Sequence, residues 1–210
     1  MERVTYHSQF IGYLDRNALM AVQLVNALTP GLHGGAPITI PCEPAPRRAA
    51  ALSALPVAGD HHVVDRLDDL ATDELYRLAG QLRLIFDAPD IDVAAREICK
   101  LLTIYRASPE LVLENDGRWS LHFHSPYAGV AAARGAGCAT AFAIMTEIGE
   151  FNRFGVCEAH NCDRVFFDAS RNSCKRFCSS ACMNRTKAAQ FRNRRREANT
   201  PRIADIVADH

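Results

Sequence analysis

Apolar residues recur at helical spacing through much of the first half of the chain. Ala18 to Leu28 (ALMAVQLVNAL) reads as an apolar helix that Pro30 and Gly31 terminate. Residues 29–62 lose that pattern. Pro30, Pro37, Pro41, Pro44, Pro46 and Pro56 mark an irregular connection, with a short helix around Arg47–Leu55. From Val63 to Phe86 the pattern returns, with Leu67, Leu70, Leu75, Leu78, Leu82 and Ile85 at roughly helical intervals. Thr72-Asp73-Glu74 offers a cap inside that stretch. Ile91 to Tyr105 predicts a second amphipathic helix, turning Val93, Ala94, Ile98, Leu101, Leu102 and Tyr105 to a core.

The period then shortens. Glu110–Glu114 and Trp119–His124 are short apolar or alternating runs around Asn115-Asp116-Gly117-Arg118, which predicts a β-hairpin. After Pro126 an Ala-rich helix is expected to about Gly149, its small residues suited to close packing against a neighbour. Gly149–Gly155 leads into a region of different composition, so the expected boundary falls near residue 150.

Composition adds two things. With 48% hydrophobic and 23% charged residues, the chain falls in the ordinary globular range, which argues against a disordered protein. Its formal net charge of zero conceals segregation. Residues 1–150 carry 12 basic and 18 acidic side chains, whereas 151–202 carry 12 basic and 4 acidic. The contrast predicts a neutral or acidic body joined to a cation-presenting module. The opening MERVTYHSQF lacks the apolar core of a signal peptide, and no 18-residue apolar run follows. A reducing cytoplasm with no membrane partner is the expected setting.

In that setting the cysteines read as metal ligands rather than disulfides. Cys157, Cys162, Cys178 and Cys182 form a C-x4-C-x15-C-x3-C array. Two paired-cysteine knuckles supply the four soft thiolates that a structural Zn2+ ion takes in tetrahedral geometry, with no open position for a substrate water. On a helix, Cys178 and Cys182 would lie on one face, one turn apart, with Ser179 or Ser180 capping its start. A knuckle precedes the short strand Val165–Asp168, and the order knuckle, hairpin, then helix is treble-clef-like. Cys174 reads as a free loop thiol and His160 as a polar neighbour of the metal.

The residues around the array resemble a known module. Phe166-Phe167-Asp168-Ala169-Ser170-Arg171-Asn172, Lys175-Arg176-Phe177-Cys178 and Cys182-Met183-Asn184-Arg185 with Lys187 resemble the CGNR zinc finger, over roughly residues 152–196. More loosely, through Leu24-Val25-Asn26, the amphipathic helices and the hairpin before a long helix, residues 18–150 resemble the ABATE domain that precedes it in that family. The resemblance implies a stress-induced bacterial transcriptional regulator with an N-terminal sensing domain that takes a small-molecule effector. Met183 stands where the motif has glycine, and Ala27 where threonine follows the early asparagine.

Arg185, Lys187, Arg192, Arg194, Arg195, Arg196 and Arg202 place seven cations in 18 residues, opposed only by Glu197. Helical spacing puts Arg185, Arg192 and Arg196 on one face and Lys187 with Arg194 on another. Such a helix suits DNA, with guanidinium groups on phosphates and guanine edges. Lys175, Arg176 and Asn184 join the candidate contacts. Arg171 and Asn172 either order their loop or touch a phosphate. Neither His61-His62 nor His122 with His124 points to a site, the latter pair reading as the polar face of a strand. No G-x-S-x-G, P-loop or H-E-x-x-H motif occurs, and no enzymatic activity is expected.

The expected architecture is mainly α with α+β character. A helical domain with a β-hairpin spans 1–150, and a small treble-clef-like zinc module ending in a basic helix spans 151–202. The expected function is zinc-dependent DNA binding in transcriptional regulation, with homodimerisation as a further expectation. The alternative is an RNA-binding or protein-interaction zinc module.

Overall fold

Six helices and three two-stranded antiparallel hairpins make up the described part of the chain. The structure is a computed structural model and describes residues 7–55, 67–113 and 117–199. His61-His62, residues 63–66, Asn115-Asp116 and Arg202 lie outside these.

Helix α1 spans His7–Leu28, beginning well before the predicted Ala18. It buries Leu14, Ala18, Ala21, Leu24, Val25 and Leu28, a stripe at helical spacing. Thr29 folds back on Val25, its hydroxyl donating to the carbonyl at 2.7 Å, and Pro30 cannot continue the ladder. The expected irregular connection instead opens with a hairpin, β1 (Gly31–His33) and β2 (Ala36–Ile38). Its two-residue turn, Gly34-Gly35, has φ of 65° and 95°. Two positive φ angles in succession explain why glycine stands at both positions.

Helix α2 (Pro44–Ala54) starts with proline in its first turn, where the missing N–H has no helical partner to lose. Helix α3 (Asp69–Phe86) is capped by Asp68, which accepts from the Ala71 N–H at 2.7 Å, and not by Thr72-Asp73-Glu74. The carboxylate sits one turn before the threonine and reaches the orphan amide first. Asp73 instead pairs with Arg47 at 2.7 Å. Leu70 is exposed, while Leu75, Leu78, Leu82 and Ile85 are buried as predicted. Helix α4 (Ile91–Ile104) is capped in the same way by Asp90.

Strands β3 (Glu110–Leu113) and β4 (Trp119–His122) form the predicted hairpin. Helix α5 (Val130–Glu147) follows and is buried nearly all round. A β-carbon on Gly135 would lie 2.5 Å from the Tyr105 ring, and one on Gly137 would lie 2.4 Å from the Asn17 amide oxygen. The small residues therefore let α4 and α1 approach α5 closely.

The core does not stop at residue 150. After a 3-10 turn (Phe151–Arg153), strands β5 (Phe154–Val156) and β6 (Val165–Phe167) pair antiparallel. The Phe154 ring centroid lies 4.4 Å from that of Phe142 of α5, 5.8 Å edge-to-face from Phe86 of α3 and 5.1 Å from Phe167. Phe154, Val165 and Phe167 belong to the same buried cluster as the helices. Helix α6 (Ser180–Asn199) closes the described chain. No helix among the described residues is long and apolar enough to cross a membrane.

Candidate metal centre and nucleic-acid interface

The β5–β6 hairpin carries the first knuckle at its tip. The Cys157 N–H donates to the Arg164 carbonyl at 2.8 Å, closing the loop that brings Cys162 back beside Cys157. Asn161 takes the bend with φ 55°, a left-handed conformation that asparagine tolerates. The second knuckle lies at the start of α6. Ser179 is the cap, its hydroxyl oxygen accepting from the Cys182 N–H at 3.2 Å, and Ser180 is the first helical residue. Only Cys182 therefore lies in the helix. Cys178 precedes the cap, contrary to the expectation of both thiols one turn apart on the helix, because Ser179 competes for the helix start.

The four sulfurs lie within 4.8 Å of one another. Cys162 to Cys178 is 3.8 Å, Cys178 to Cys182 is 3.5 Å and Cys182 to Cys162 is 3.7 Å. A tetrahedron of thiolates at about 2.3 Å from zinc has edges of about 3.8 Å, so the donor set fits the ion in chemistry and in size. Cys157, Cys162 and Cys182 are buried, and Ala159 and Phe177 cover the cluster. His160 and Cys174 are exposed and outside it.

Without a cation such a cluster titrates unevenly. Burial pushes the Cys157 thiol up, despite N–H groups from Cys178 and Ala159 that favour its thiolate. Burial likewise raises Cys178, reinforced by its bonds to Cys182 and Cys157. For Cys182, burial is outweighed by hydrogen bonds from Ser179 and the other cysteines, which hold it at about 7. A bound dication favours the thiolate form of its ligands and offsets their mutual repulsion.

Arg185 stands next to the cluster, one guanidinium nitrogen 3.5 Å from the Cys182 sulfur. The same side chain lies against Gly34, where a β-carbon would fall 2.6 Å from it. It is therefore enclosed between metal site and β1–β2 turn, where its charge offsets part of the net −2 that four thiolates and Zn2+ carry.

Sequence reasoning missed the joint between the cluster and the helices, which Asn26 supplies. Its amide donates to the Val165 carbonyl and accepts from the Val165 N–H, each at 2.9 Å. A side chain of α1 thus acts as an extra strand beside β6. The β1–β2 hairpin grips the knuckle too: Asp163 N–H donates to the Leu32 carbonyl, and the Leu32 N–H to the Asp163 carboxylate, both at 2.8 Å. Arg83 of α3 donates to the Asp163 carbonyl. The sequence clue was present, since Asn26 lies beyond the core-facing Leu24-Val25 and is a polar residue next to an apolar run.

Asp168 was also missed as a working residue. Its buried carboxylate accepts from the Ser170 N–H at 2.9 Å and the Lys175 N–H at 2.7 Å. Burial raises its pKa, but those bonds and the Lys175 charge prevail and hold it below the usual range. It organises the loop that displays Arg171 and Asn172, both exposed.

The remaining candidate contacts differ in how they are held. Lys175 is exposed but ties its ammonium to the Phe167 carbonyl at 3.2 Å. Arg176 is exposed and pairs with Glu158, its Nε at 2.8 Å. Asn184, Lys187, Arg192, Arg194, Arg195 and Arg196 lie along the exposed surface of α6. The helix beyond Cys182 is solvated on every side from Phe191 to Arg196.

Residues 153–195 match the CGNR zinc finger family. The matched segment runs from the turn before β5 to the arginine cluster of α6, so it holds all four cysteines. No curated protein matches the chain. In this zinc finger, Cys182-Met183-Asn184-Arg185 forms the first turns of α6, joining the last ligand to the cation that neighbours it.

Proposed function

We propose that the protein is a zinc-dependent, DNA-binding transcriptional regulator in which α6 docks on the duplex. The observation that carries this reading is the solvation of α6. Helices packed on a core hide one face, whereas residues 191–196 are exposed all round and include Arg192, Arg194 and Arg195. A basic helix suits the wide major groove of DNA, while the deep, narrow major groove of A-form RNA does not admit side chains. Arg171, Asn172, Lys175, Arg176, Asn184 and Lys187 supply further polar groups on the loop and the start of the helix. In this reading Arg185 serves the metal site rather than the nucleic acid.

The N-terminal helices are the ABATE-like regulatory part of this proposal. Its effector site is the cleft of about 460 Å³ between α1, α2 and β6. Val22 and Phe166 supply apolar wall, and His33, Arg164 and Lys175 supply polar groups. The cleft touches Ala27 on α1 and Cys178 at the root of α6, so an occupant bears on both.

The test is recovery and sequencing of genomic fragments bound by zinc-loaded protein, followed by titration against salt. The expected result is one recurring motif, with log affinity falling by about 0.9 per phosphate neutralised for each unit of log salt. Preference for structured RNA, or binding indifferent to salt, would replace this reading with the RNA or protein-interaction alternative.

A further inference from the structure

The β3–β4 hairpin turns its apolar side to water. Its register pairs Leu111 with Leu121 and Leu113 with Trp119, and directly opposed residues share a face. These four are 66%, 45%, 56% and 67% exposed, respectively. The alternate positions Glu110, Val112, Ser120 and His122 are half-buried. A half-solvated antiparallel sheet normally shows the reverse, polar residues out and apolar residues in. Nor does either strand pair with a third among the described residues, so the ladder ends there.

We infer that this face is the contact between two copies of the chain. Area is the first argument. The four side chains expose on the order of 500 Å², toward the upper end of the largest apolar patch on an ordinary monomer. Mating two copies removes roughly 1,000 Å², about the smallest area of a specific interface, and suits a reversible dimer of micromolar affinity. Composition is the second. A twofold axis lying in the contact plane, perpendicular to the strands, lays the Leu113–Trp119 end of one copy on the Leu111–Leu121 end of the other. Every apolar side chain then meets another and no charge is buried among the four, as an isologous contact requires. The chain itself supplies the complementary surface. This inference stands whether or not α6 binds nucleic acid.

Trp119 is the chain's one tryptophan and lies in the patch, so its fluorescence reports the contact directly. The experiment follows mass by sedimentation and Trp119 emission in the full-length, zinc-loaded protein, from sub-micromolar to hundreds of micromolar. A dimer is expected at high concentration, with blue-shifted emission shielded from acrylamide, reverting on dilution. Leu121→Glu should weaken association roughly thirtyfold or more, the effect of losing a central contact. Leu113→Thr, which keeps strand propensity, should weaken it less and in the same direction, guarding against misfolding of the charged variant. A monomer with exposed Trp119 throughout would overturn the proposal. So would a monomer with shielded Trp119, in which the chain covers its own patch, or a dimer indifferent to both substitutions.

Discussion

The two halves of the zinc finger are attached to the rest of the molecule in opposite ways. Its hairpin is sunk in the helical core, with Phe154 among Phe86, Phe142 and Phe167 and with Asn26 and Arg83 bonded to the strand and knuckle. Its helix leaves the cluster and is solvated on every side from Phe191 to Arg196. The anchored half carries Cys157 and Cys162, and the presented half carries Cys182, with Cys178 just before it. Metal coordination is therefore the principal joint between a fixed base and a projecting arm. The contrast teaches that one short module can belong energetically to the body while facing outward with its charge.

Removing the metal should break the contrast most severely. Zinc contributes about 10–16 kcal/mol of apparent free energy to small modules of this kind. With a chelator, or in Cys182→Ser, α6 should lose its root, read as a drop in circular dichroism and a lower thermal midpoint. Phe154→Ala attacks the anchored half. It should cost about 3–5 kcal/mol and lower the unfolding midpoint of finger and helices together, since they share the cavity it leaves. Separate transitions, with the helical core unmoved, would show that the shared cluster is not cooperative.

The finger and the helical body respond at opposite ends of the pH scale. Asp168 has its folded pKa depressed, so its contribution is present above the ordinary carboxyl range and lost as pH falls through the depressed value. Zinc thiolates take up protons in the same direction. In the body, burial lifts Cys138 from 9.0 to about 12, so the stability it confers is full below pH 9 and lost as pH rises toward 12. Melting against pH should show acid loss accompanied by zinc release and alkaline loss without it below the pH at which hydroxide competes. Cys138→Ala should flatten the alkaline limb.

Smaller effects sharpen the picture. Asn26→Ala removes two hydrogen bonds to β6 and should cost about 2 kcal/mol, seen in denaturant unfolding and in faster amide exchange at Val165. Replacing Arg192, Arg194 and Arg195 by alanine should change stability by less than about 0.5 kcal/mol, because these side chains are solvated. The same variant should lose about 0.9 from the salt slope for each phosphate contact removed, if α6 acts as proposed.

What the sequence made legible follows from range. The four cysteines and their fit to zinc were readable because ligand spacing is local, and α3, α4 and α5 because apolar periodicity is local. Asn26 and Val165 are 139 residues apart, and no local pattern joins them. The β1–β2 hairpin escaped because proline-rich flanks obscured the Gly34-Gly35 turn, whose successive glycines were the available signal. The start of α3 went astray for another reason: Asp68 takes the orphan amide one turn before Thr72, whereas Ser179 caps α6 as one of the two serines expected there. Helix α5 ends at Glu147, and buried aromatic packing continues past the composition change near residue 150.

Arg185 lies where the arm meets its base, wedged between the Cys182 sulfur and the Gly34-Gly35 turn. Helix α6 has 20 residues and is about 30 Å long. Rotating such a rod about its root by only ~10° swings the far end by about 5 Å, roughly one and a half base-pair rises of duplex DNA. A helix of this length therefore converts a small change of angle at its root, where Arg185 contacts the Gly34 turn, into a displacement several times larger at its far end.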